Sequence, residues 1–177
     1  MVLKDKNNLP FSFIGQSLGY KYIKGFKLAD KLVNLIMYGG KKQKAFKIVT
    51  ESLTIVKSTL IFDDKKLKSS RSGIGYLHKA VLNVQPYIEL RKVRIHRVVH
   101  QVPSTITEYR QEGLALRWII EAARTLRRSS RGKLHFSSAL ARVIIDAAHK
   151  EGPVRQKRDS LHKAAEANRS SVHLRWW

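Results

Sequence analysis

Apolar residues recur at helical spacing in six stretches of the chain, and this period restricts it to a mainly α fold. Leu28, Leu32 and Leu35 illustrate the pattern, because residues four and seven positions apart share one helix face. Gly39-Gly40 is expected to end the first helix and Pro86 the third. The six predicted helices cover 28–36, 41–60, 74–84, 114–126, 140–148 and, after the Gly152-Pro153 break, 153–169.

The period changes between residues 87 and 102, where apolar and charged side chains alternate. This stretch predicts a β-hairpin that ends at Pro103, although its turn contains neither glycine nor asparagine. The predicted fold is therefore mainly α, a bundle of about six helices with one protruding β-hairpin. We expect residues 1–25 to form an irregular basic arm and 26–177 a single helical domain, with the 114–126 helix at its centre.

The net charge of the chain indicates which class of molecule it binds. Lys and Arg number 35 against 13 Asp and Glu, which gives a net charge of +22. A partner dense in phosphate explains this excess, because cations that neutralise phosphates release condensed counterions. An anionic membrane is the weaker alternative, since the sequence shows neither a lipidation motif nor a membrane-spanning run. A DNA-binding architectural protein fits the charge equally well and stays the second reading.

Two basic elements form the expected footprint. Four cations cluster at the predicted hairpin tip, where the alternative is an exposed strand edge kept soluble by charge. The last helix is also net basic, and one such helix alone is usually just a solvated face. Leu161 and Ala164 are expected to anchor it to the body, and its cations are expected to project outward: Arg155, Lys157, Arg158, Lys163 and Arg169. Both elements together favour RNA contact. The tip cations are Arg91, Lys92, Arg94 and Arg97.

Catalytic and cofactor chemistry is not visible in the sequence. Without cysteine there is no thiolate metal site, and His96 and His100 lie in a predicted strand, where four-residue spacing does not bring them together. Gly39-Gly40-Lys41-Lys42 lacks the spacing of a phosphate-binding loop. The chain is therefore predicted to be a binding protein and not an enzyme, with no cofactor and no small-molecule substrate.

Four collinear motifs resemble the small-subunit ribosomal protein S seven family. Three of them are the segments 32–45, 101–103 and 115–124. The fourth is the C-terminal run, which matches the form K-R-[ED]-x-x-H-x-x-A-[ES]-x-N-[RK]-x-x-x-H-x-R-W. Its matching residues are Lys157, Arg158, Asp159, His162, Ala165, Asn168, Arg169, His173, Arg175 and Trp176.

The resemblance implies a structural constituent of the small ribosomal subunit. Such a protein would bind the 3′ domain of small-subunit rRNA, nucleate head assembly, and lie near the mRNA exit, the exit-site tRNA, and neighbouring head and platform proteins. The positions carried over as rRNA or tRNA contacts are Lys41, Lys42, Arg91, Lys92, Arg94, Arg97, Arg117, Arg124, Arg155, Lys157, Arg158, His162, Asn168, Arg169 and Arg175.

The chain also departs from the family pattern. His96-Arg97 stands where many bacterial members have Gly-Gly, and the loop around 63–71 is longer than usual. The closing Trp176-Trp177 pair resembles mitochondrially encoded members, and the first 25 residues contain no arginine, which argues against an import presequence. A mitochondrial, organelle-encoded protein is therefore expected, with the bacterial cytoplasm as the alternative. Trp176 and Trp177 are left open between packing on the bundle and stacking on a nucleotide.

Overall fold

The computed structural model describes residues 20–63 and 72–177, and it confirms the mainly α bundle with one hairpin. The loop expected around 63–71 lies almost entirely outside the described residues. No described helix is long and apolar enough to cross a membrane. The elements in order are α1 (Tyr20–Ile36), α2 (Lys42–Asp63), α3 (Gly73–Val84), β1 (Ile88–Ile95), β2 (Val98–Thr105), α4 (Glu108–Ser129), α5 (Phe136–Ala148), α6 (Gly152–Ala167) and a C-terminal 3-10 helix (Arg169–Leu174).

The first helix begins earlier than predicted. It starts at Tyr20, so residues 20–25 belong to the bundle and not to an irregular arm; residues 1–19 lie outside the described part. Phe26 and Ala29 extend the buried face of Leu32 towards the N-terminus. Gly25 suggested an irregular segment, but it marks a close helix contact. A Cβ there would lie 2.7 Å from Ile74 Cγ2 of α3.

The centre of the bundle is α5, and the prediction that the 114–126 helix occupies it is wrong. α5 packs against α2, α3, α4 and α6. Leu140, Val143 and Ile144 of α5 are buried, and small residues such as Ala139 and Ala141 are buried on its other sides. α4 carries a stripe of exposed arginines instead, so only part of its circumference faces the core.

The hairpin is longer than predicted. β1 and β2 pair antiparallel from Ile88↔Thr105 to Ile95↔Val98, with His96-Arg97 as a two-residue turn. His96 adopts the left-handed φ of 51° that a glycine would take more easily. Pro103 does not end the ribbon but lies within β2 opposite Leu90. Both strands of a two-stranded sheet are edges, where a proline without an N–H is tolerated.

One face of the ribbon packs on the body and the other faces solvent. Val93, Val102 and Ser104 lie on the inner face and are buried. β1 contacts α6, and β2 contacts the 3-10 helix. At the ribbon base, the Arg110 guanidinium of α4 donates to both Glu89 carboxylate oxygens, at 2.6 and 2.7 Å. These contacts set the direction in which the ribbon leaves the bundle.

Two helical glycines provide a matched test of this packing. A Cβ on Gly73 would overlap the backbone carbonyl of Leu53, whereas one on Gly113 would meet only the flexible end of Lys31, at 3.9 Å. We expect Gly73→Ala to lower the free energy of unfolding by about 1–3 kcal/mol, because α2 and α3 must separate. Gly113→Ala should raise it by about 0.5–1 kcal/mol through helix propensity. Urea unfolding followed by circular dichroism measures both, and shifts of the same sign would contradict the packing described.

Candidate nucleic-acid interface

The outer face of the ribbon presents unneutralised cations. Lys92 and Arg94 project from β1 on the face opposite Val93 and are exposed, and Arg97 is exposed in the turn. Within the described residues, none of the three forms an ion pair. Because residues two apart on a strand share one face at a rise of about 3.3 Å each, Lys92 and Arg94 lie side by side. Three of the four tip cations predicted from the sequence are thus accessible to a polyanion.

The C-terminal tail lies beside this ribbon. The Arg91 guanidinium lies 5.3 Å from the Trp177 ring centroid, and the Trp176 ring meets Trp177 edge-on, with centroids 5.8 Å apart. Arg175 donates to the Trp177 carbonyl at 3.3 Å. Trp177 therefore packs back on the ribbon through a cation–π contact, while Trp176 is 81% exposed. Arg91 and Arg175 are both partly occupied in holding this tail.

A second cationic surface lies at the end of α4. Arg124, Arg127 and Arg128 surround a depression of 470 Å³ whose apolar lining includes Ile36 and Phe136. Each arginine is exposed, and none forms an ion pair with another described residue. The last turn of a helix carries partial negative charge, which helps to hold three like charges together. The predicted contact Arg124 belongs to this cluster.

Arg117 extends this surface along α4, and Lys41 and Lys42 are grouped with it because they follow Ile36 closely in the chain. Arg117 precedes Arg124 by seven residues, so the two lie on one side of α4. The lysine pair follows Ile36 after the Gly39-Gly40 turn, whose φ angles are 57° and 73°. Lys41 and Lys42 are exposed, and α2 begins at Lys42, one residue after its predicted start. We call this set, together with Arg127 and Arg128, the α4 surface.

The prediction that Arg155 and Arg158 project outward from α6 is wrong. Both are partly buried, with side chains 23% and 17% exposed. The Nη1 atoms of Arg155 and Arg158 donate to the backbone carbonyl of Asn83, at 2.7 and 2.9 Å. Asp159 lies between them and accepts from both Nε atoms, at 3.2 and 3.0 Å. The carbonyls at the end of α3 attract these guanidinium groups inward.

Asn83 extends this network to a third helix, and sequence reasoning missed it. Its side-chain amide donates to the carbonyls of Ala147 and Ala148 at the end of α5, at 3.1 and 2.9 Å. The last carbonyls of a helix have no partner within it; the Ala147 carbonyl also accepts the Lys150 backbone N–H at 3.1 Å, and Asn83 adds a donor to both carbonyls. The only sequence signal was a polar residue near a helix end, together with the four-residue spacing of Arg155 and Asp159.

The remaining predicted contacts on α6 are also engaged within the chain. Lys157 Nζ lies 2.6 Å from Glu121 Oε2 and 5.7 Å from the Trp118 ring centroid. Asn168 donates to the Ala164 carbonyl at 2.7 Å and joins α6 to the 3-10 helix. Val154 and Ala165 are the two fully buried residues of α6, whereas the expected anchors Leu161 and Ala164 are half-buried. Arg169 is exposed at the start of the 3-10 helix.

His162 connects α6 to the base of the ribbon. Its Nε2 accepts the Tyr87 backbone N–H at 3.4 Å, which requires that nitrogen to be unprotonated. Burial lowers the pKa of His162, and the positive charges of Arg158 and Arg155 lower it further against the opposing effect of Asp159. The Asp159 pKa is lowered as well: partial burial opposes this, but Arg155 and Arg158 together outweigh it.

The His162 contact predicts a pH-dependent stability. Because its pKa is lower in the folded chain than in the unfolded one, the unfolded state binds the extra proton as pH falls below about 6.5. Stability should therefore be fully present above pH 6.5 and decrease as the pH falls through the lower, folded pKa. Between pH 7.5 and 5.5, we expect the melting temperature of the His162→Gln variant to fall by less than that of the unsubstituted chain. The exposed His135→Gln serves as control, and equal losses in all three proteins would contradict the assignment.

Within the described residues, no group of three or more metal-ligating side chains comes together. What the structure brings together is cationic: the ribbon tip with the C-terminal tail, and the α4 surface. Such surfaces suit phosphate contact and shape recognition.

The sequence of the chain is similar to those of known proteins from one family. Residues 13–169 match the family described as ribosomal protein S7p/S5e. The small ribosomal subunit protein uS7 of Coprothermobacter proteolyticus is 40% identical over 154 residues, which cover 87% of this chain and 90% of that protein. The uS7 of Sulfurihydrogenibium sp. is 38% identical over 149 residues, covering 84% and 87%. The uS7m of Marchantia polymorpha is 40% identical over 161 residues, covering 88% of this chain but 65% of the longer relative.

The relatives include both bacterial and mitochondrial forms. Together they confirm the resemblance that the four sequence motifs carried. The chain therefore belongs to the ribosomal protein S7p/S5e family, whose members are structural components of the small ribosomal subunit and not enzymes.

Proposed function

We propose that this chain binds the 3′ domain of small-subunit rRNA through two cationic surfaces and nucleates assembly of the subunit head. The observation that carries the proposal is the exposure of unpaired Lys and Arg on the ribbon tip and on the α4 surface. The 13 acidic residues cannot neutralise them, since the chain has 35 Lys and Arg and keeps a net charge of +22. Exposed like charges at this density repel one another unless a polyanion is bound.

The predicted contact residues divide into two groups by what they touch. The exposed group is proposed to bind phosphates directly: Lys41, Lys42, Lys92, Arg94, Arg97, Arg117, Arg124 and Arg169. The second group already has partners in the chain and is proposed to act mainly by positioning the ribbon and tail: Arg91, Arg155, Lys157, Arg158, His162, Asn168 and Arg175. Arg127 and Arg128 join the direct group because they surround the same depression as Arg124.

The mechanism follows from the separation of the two surfaces. Lys and Arg neutralise phosphates of more than one strand, and the rigid spacing between ribbon and bundle selects a folded RNA by its shape. Phosphate contacts fix register and orientation without reading sequence. The ribbon is rigid at its base, because Glu89 and Arg110 form a two-fold ion pair there. A clamp of this kind suits an early-binding assembly protein.

The finer placement is also proposed. A ribbon that extends from the body with an exposed basic tip suits a position near the mRNA exit and the exit-site tRNA, beside neighbouring head and platform proteins. The proposed location is the mitochondrial ribosome, supported by similarity to a uS7m protein. A bacterial uS7 relative has the same 40% identity, so the bacterial cytoplasm is the alternative. A DNA-binding architectural role remains the second function on charge alone, and competition between duplex DNA and the rRNA fragment tests it.

Salt dependence tests the phosphate clamp. For about six phosphate contacts, log affinity for a 3′-domain rRNA fragment should fall with log salt concentration at a slope of about −4 to −5. Raising salt from 50 to 200 mM should then weaken binding roughly 250- to 1,000-fold. Filter binding or fluorescence anisotropy measures this directly. A flat response would exclude a phosphate-based interface.

A matched pair of double variants tests the ribbon. Arg94→Ala/Arg97→Ala removes two exposed cations at the tip, and Lys47→Ala/Lys57→Ala removes the same charge from exposed positions on α2. We expect the ribbon variant to lose at least about tenfold in affinity and about two units of salt slope, with unchanged helical content. The α2 variant should lose much less. Equal losses would show that only total charge matters, and loss of folding in the ribbon variant would show that the tip is structural.

A further inference from the structure

A groove in the helical body differs in character from the two cationic surfaces. It has a volume of 490 Å³ and lies between α4, α5 and α6. On α4, the groove residues Trp118, Ala122 and Thr125 follow a different stripe from Arg117 and Arg124. Its size falls within the roughly 300–1,000 Å³ typical of ligand pockets. The apolar side chains that line it are Trp118, Ala122, Leu126, Val143, Pro153 and Val154.

The charged groups at this groove balance one another. Lys157 and Arg142 are its cations, and Glu121 and Asp146 its carboxylates. Lys157 is already neutralised by Glu121 at 2.6 Å. A groove with no net charge is unusual on a chain of +22, where acidic residues are scarce. It therefore offers no electrostatic attraction to RNA phosphates.

Asp146 is the unsatisfied member of this set. Within the described residues, no cation lies within 4.0 Å of its carboxylate, and no hydrogen bond to its side chain is found. Arg142, one helical turn earlier, acts on it only through space, as do Glu151 and His149. Partial burial raises the Asp146 pKa, so the folded chain holds this carboxylate at a cost in stability. A cation supplied from outside would satisfy it.

We propose that this groove receives a peptide segment of a neighbouring protein, with an apolar side chain over Trp118 and a Lys or Arg on Asp146. Trp118 is half-buried and packs on the core, so it provides a fixed aromatic wall for an apolar anchor. Asp146 provides the charge that selects a basic segment over an acidic one. This protein-docking role goes beyond the proposed rRNA binding and uses different residues.

Two other occupants are less compatible with the groove. RNA would place phosphates near two carboxylates with only one unneutralised cation, Arg142, in compensation. A second copy of this chain would bring together two molecules of +22 each. A peptide that is both apolar and basic satisfies the aromatic wall and the free carboxylate at once. Both alternatives become outcomes of the test.

The experiment follows Trp118 fluorescence in the full chain carrying Trp176→Phe and Trp177→Phe, which leaves Trp118 as the single tryptophan. The probes are two acetylated, amidated synthetic peptides, Lys-Leu-Phe-Lys-Leu and the same peptide with glutamate at both lysine positions. We expect the lysine peptide to shift the Trp118 emission to shorter wavelength with a millimolar or tighter Kd. The glutamate peptide should produce no saturable shift.

Two variants separate docking from folding. Asp146→Asn should weaken the lysine peptide about five- to tenfold, because the charge-assisted bond is lost while the shape is kept. Thr125→Phe fills the groove from an exposed helix position without changing the charge beside Arg124, and it should abolish the shift. The melting temperature is the folding control. Asp146→Asn is expected to keep or raise it, since the buried charge is removed.

The results distinguish this proposal from rRNA binding. Both variants should bind the 3′-domain rRNA fragment with unchanged affinity and salt slope, so failure of one proposal leaves the other standing. The docking proposal is overturned if the lysine peptide fails to bind, if the glutamate peptide binds equally, or if Asp146→Asn has no effect. It is also overturned if the rRNA fragment displaces the lysine peptide from Trp118, or if the shift depends on self-association of the chain.

Discussion

The hydrogen bonds around Asn83 hold the start of α6 against the ends of α3 and α5. The Asn83 side chain satisfies the last carbonyls of α5, and its own backbone carbonyl receives Arg155 and Arg158 from α6. One residue therefore joins the ends of α3 and α5 to the start of α6, in a partly buried setting where unpaired carbonyls would be costly. Since α6 packs on β1 and continues into the 3-10 helix beside β2, the ribbon and tail inherit their orientation from this network.

This arrangement changes how the basic C-terminal helix is interpreted. Arg155, Arg158 and Asp159 form an internal cluster, and Lys157 pairs with Glu121. Most of the charge on α6 is thus used to attach the helix, and truncating both arginines there would also remove the two side-chain donors of the Asn83 carbonyl. Such a variant would lose RNA binding through displacement of the ribbon even if its guanidinium never touched a phosphate. Affinity alone cannot separate the two roles, whereas a joint measurement of affinity and stability can.

The helices and the hairpin could be predicted from the sequence because each depends on a local repeat of apolar side chains. Apolar spacing identified the helix faces, and alternation identified the ribbon, so the mainly α bundle was predicted correctly. The predictions were wrong where contacts between residues far apart in the sequence determine the structure. Gly25 suggested an arm because the sequence does not show Ile74 beside it. Arg155 and Arg158 were placed outside because a cation on a basic helix is normally solvated, and the carbonyl of Asn83 that attracts them lies 72 and 75 residues away. The central position of α5 was not predicted, because its small residues give a weak apolar signal in the sequence. Small residues nevertheless permit close packing against neighbouring helices.

The distribution of acidic groups connects the structure with both proposals. With so few carboxylates on the chain, each one that pairs with a cation removes that cation from a phosphate-binding surface. Glu89, Glu121 and Asp159 each neutralise a cation at a joint between elements, at the ribbon base, between α4 and α6, and along α6. The cations of the ribbon tip and the α4 surface keep their charge because, in the described part of the chain, no carboxylate lies within ion-pair distance of them. Asp146 fits neither pattern, since it neutralises no neighbour within ion-pair distance and lies beside apolar side chains. A partly buried carboxylate without a cation within ion-pair distance among the described residues is suited to a cation from another molecule, and the apolar wall of Trp118 beside it makes a protein segment the partner that fits.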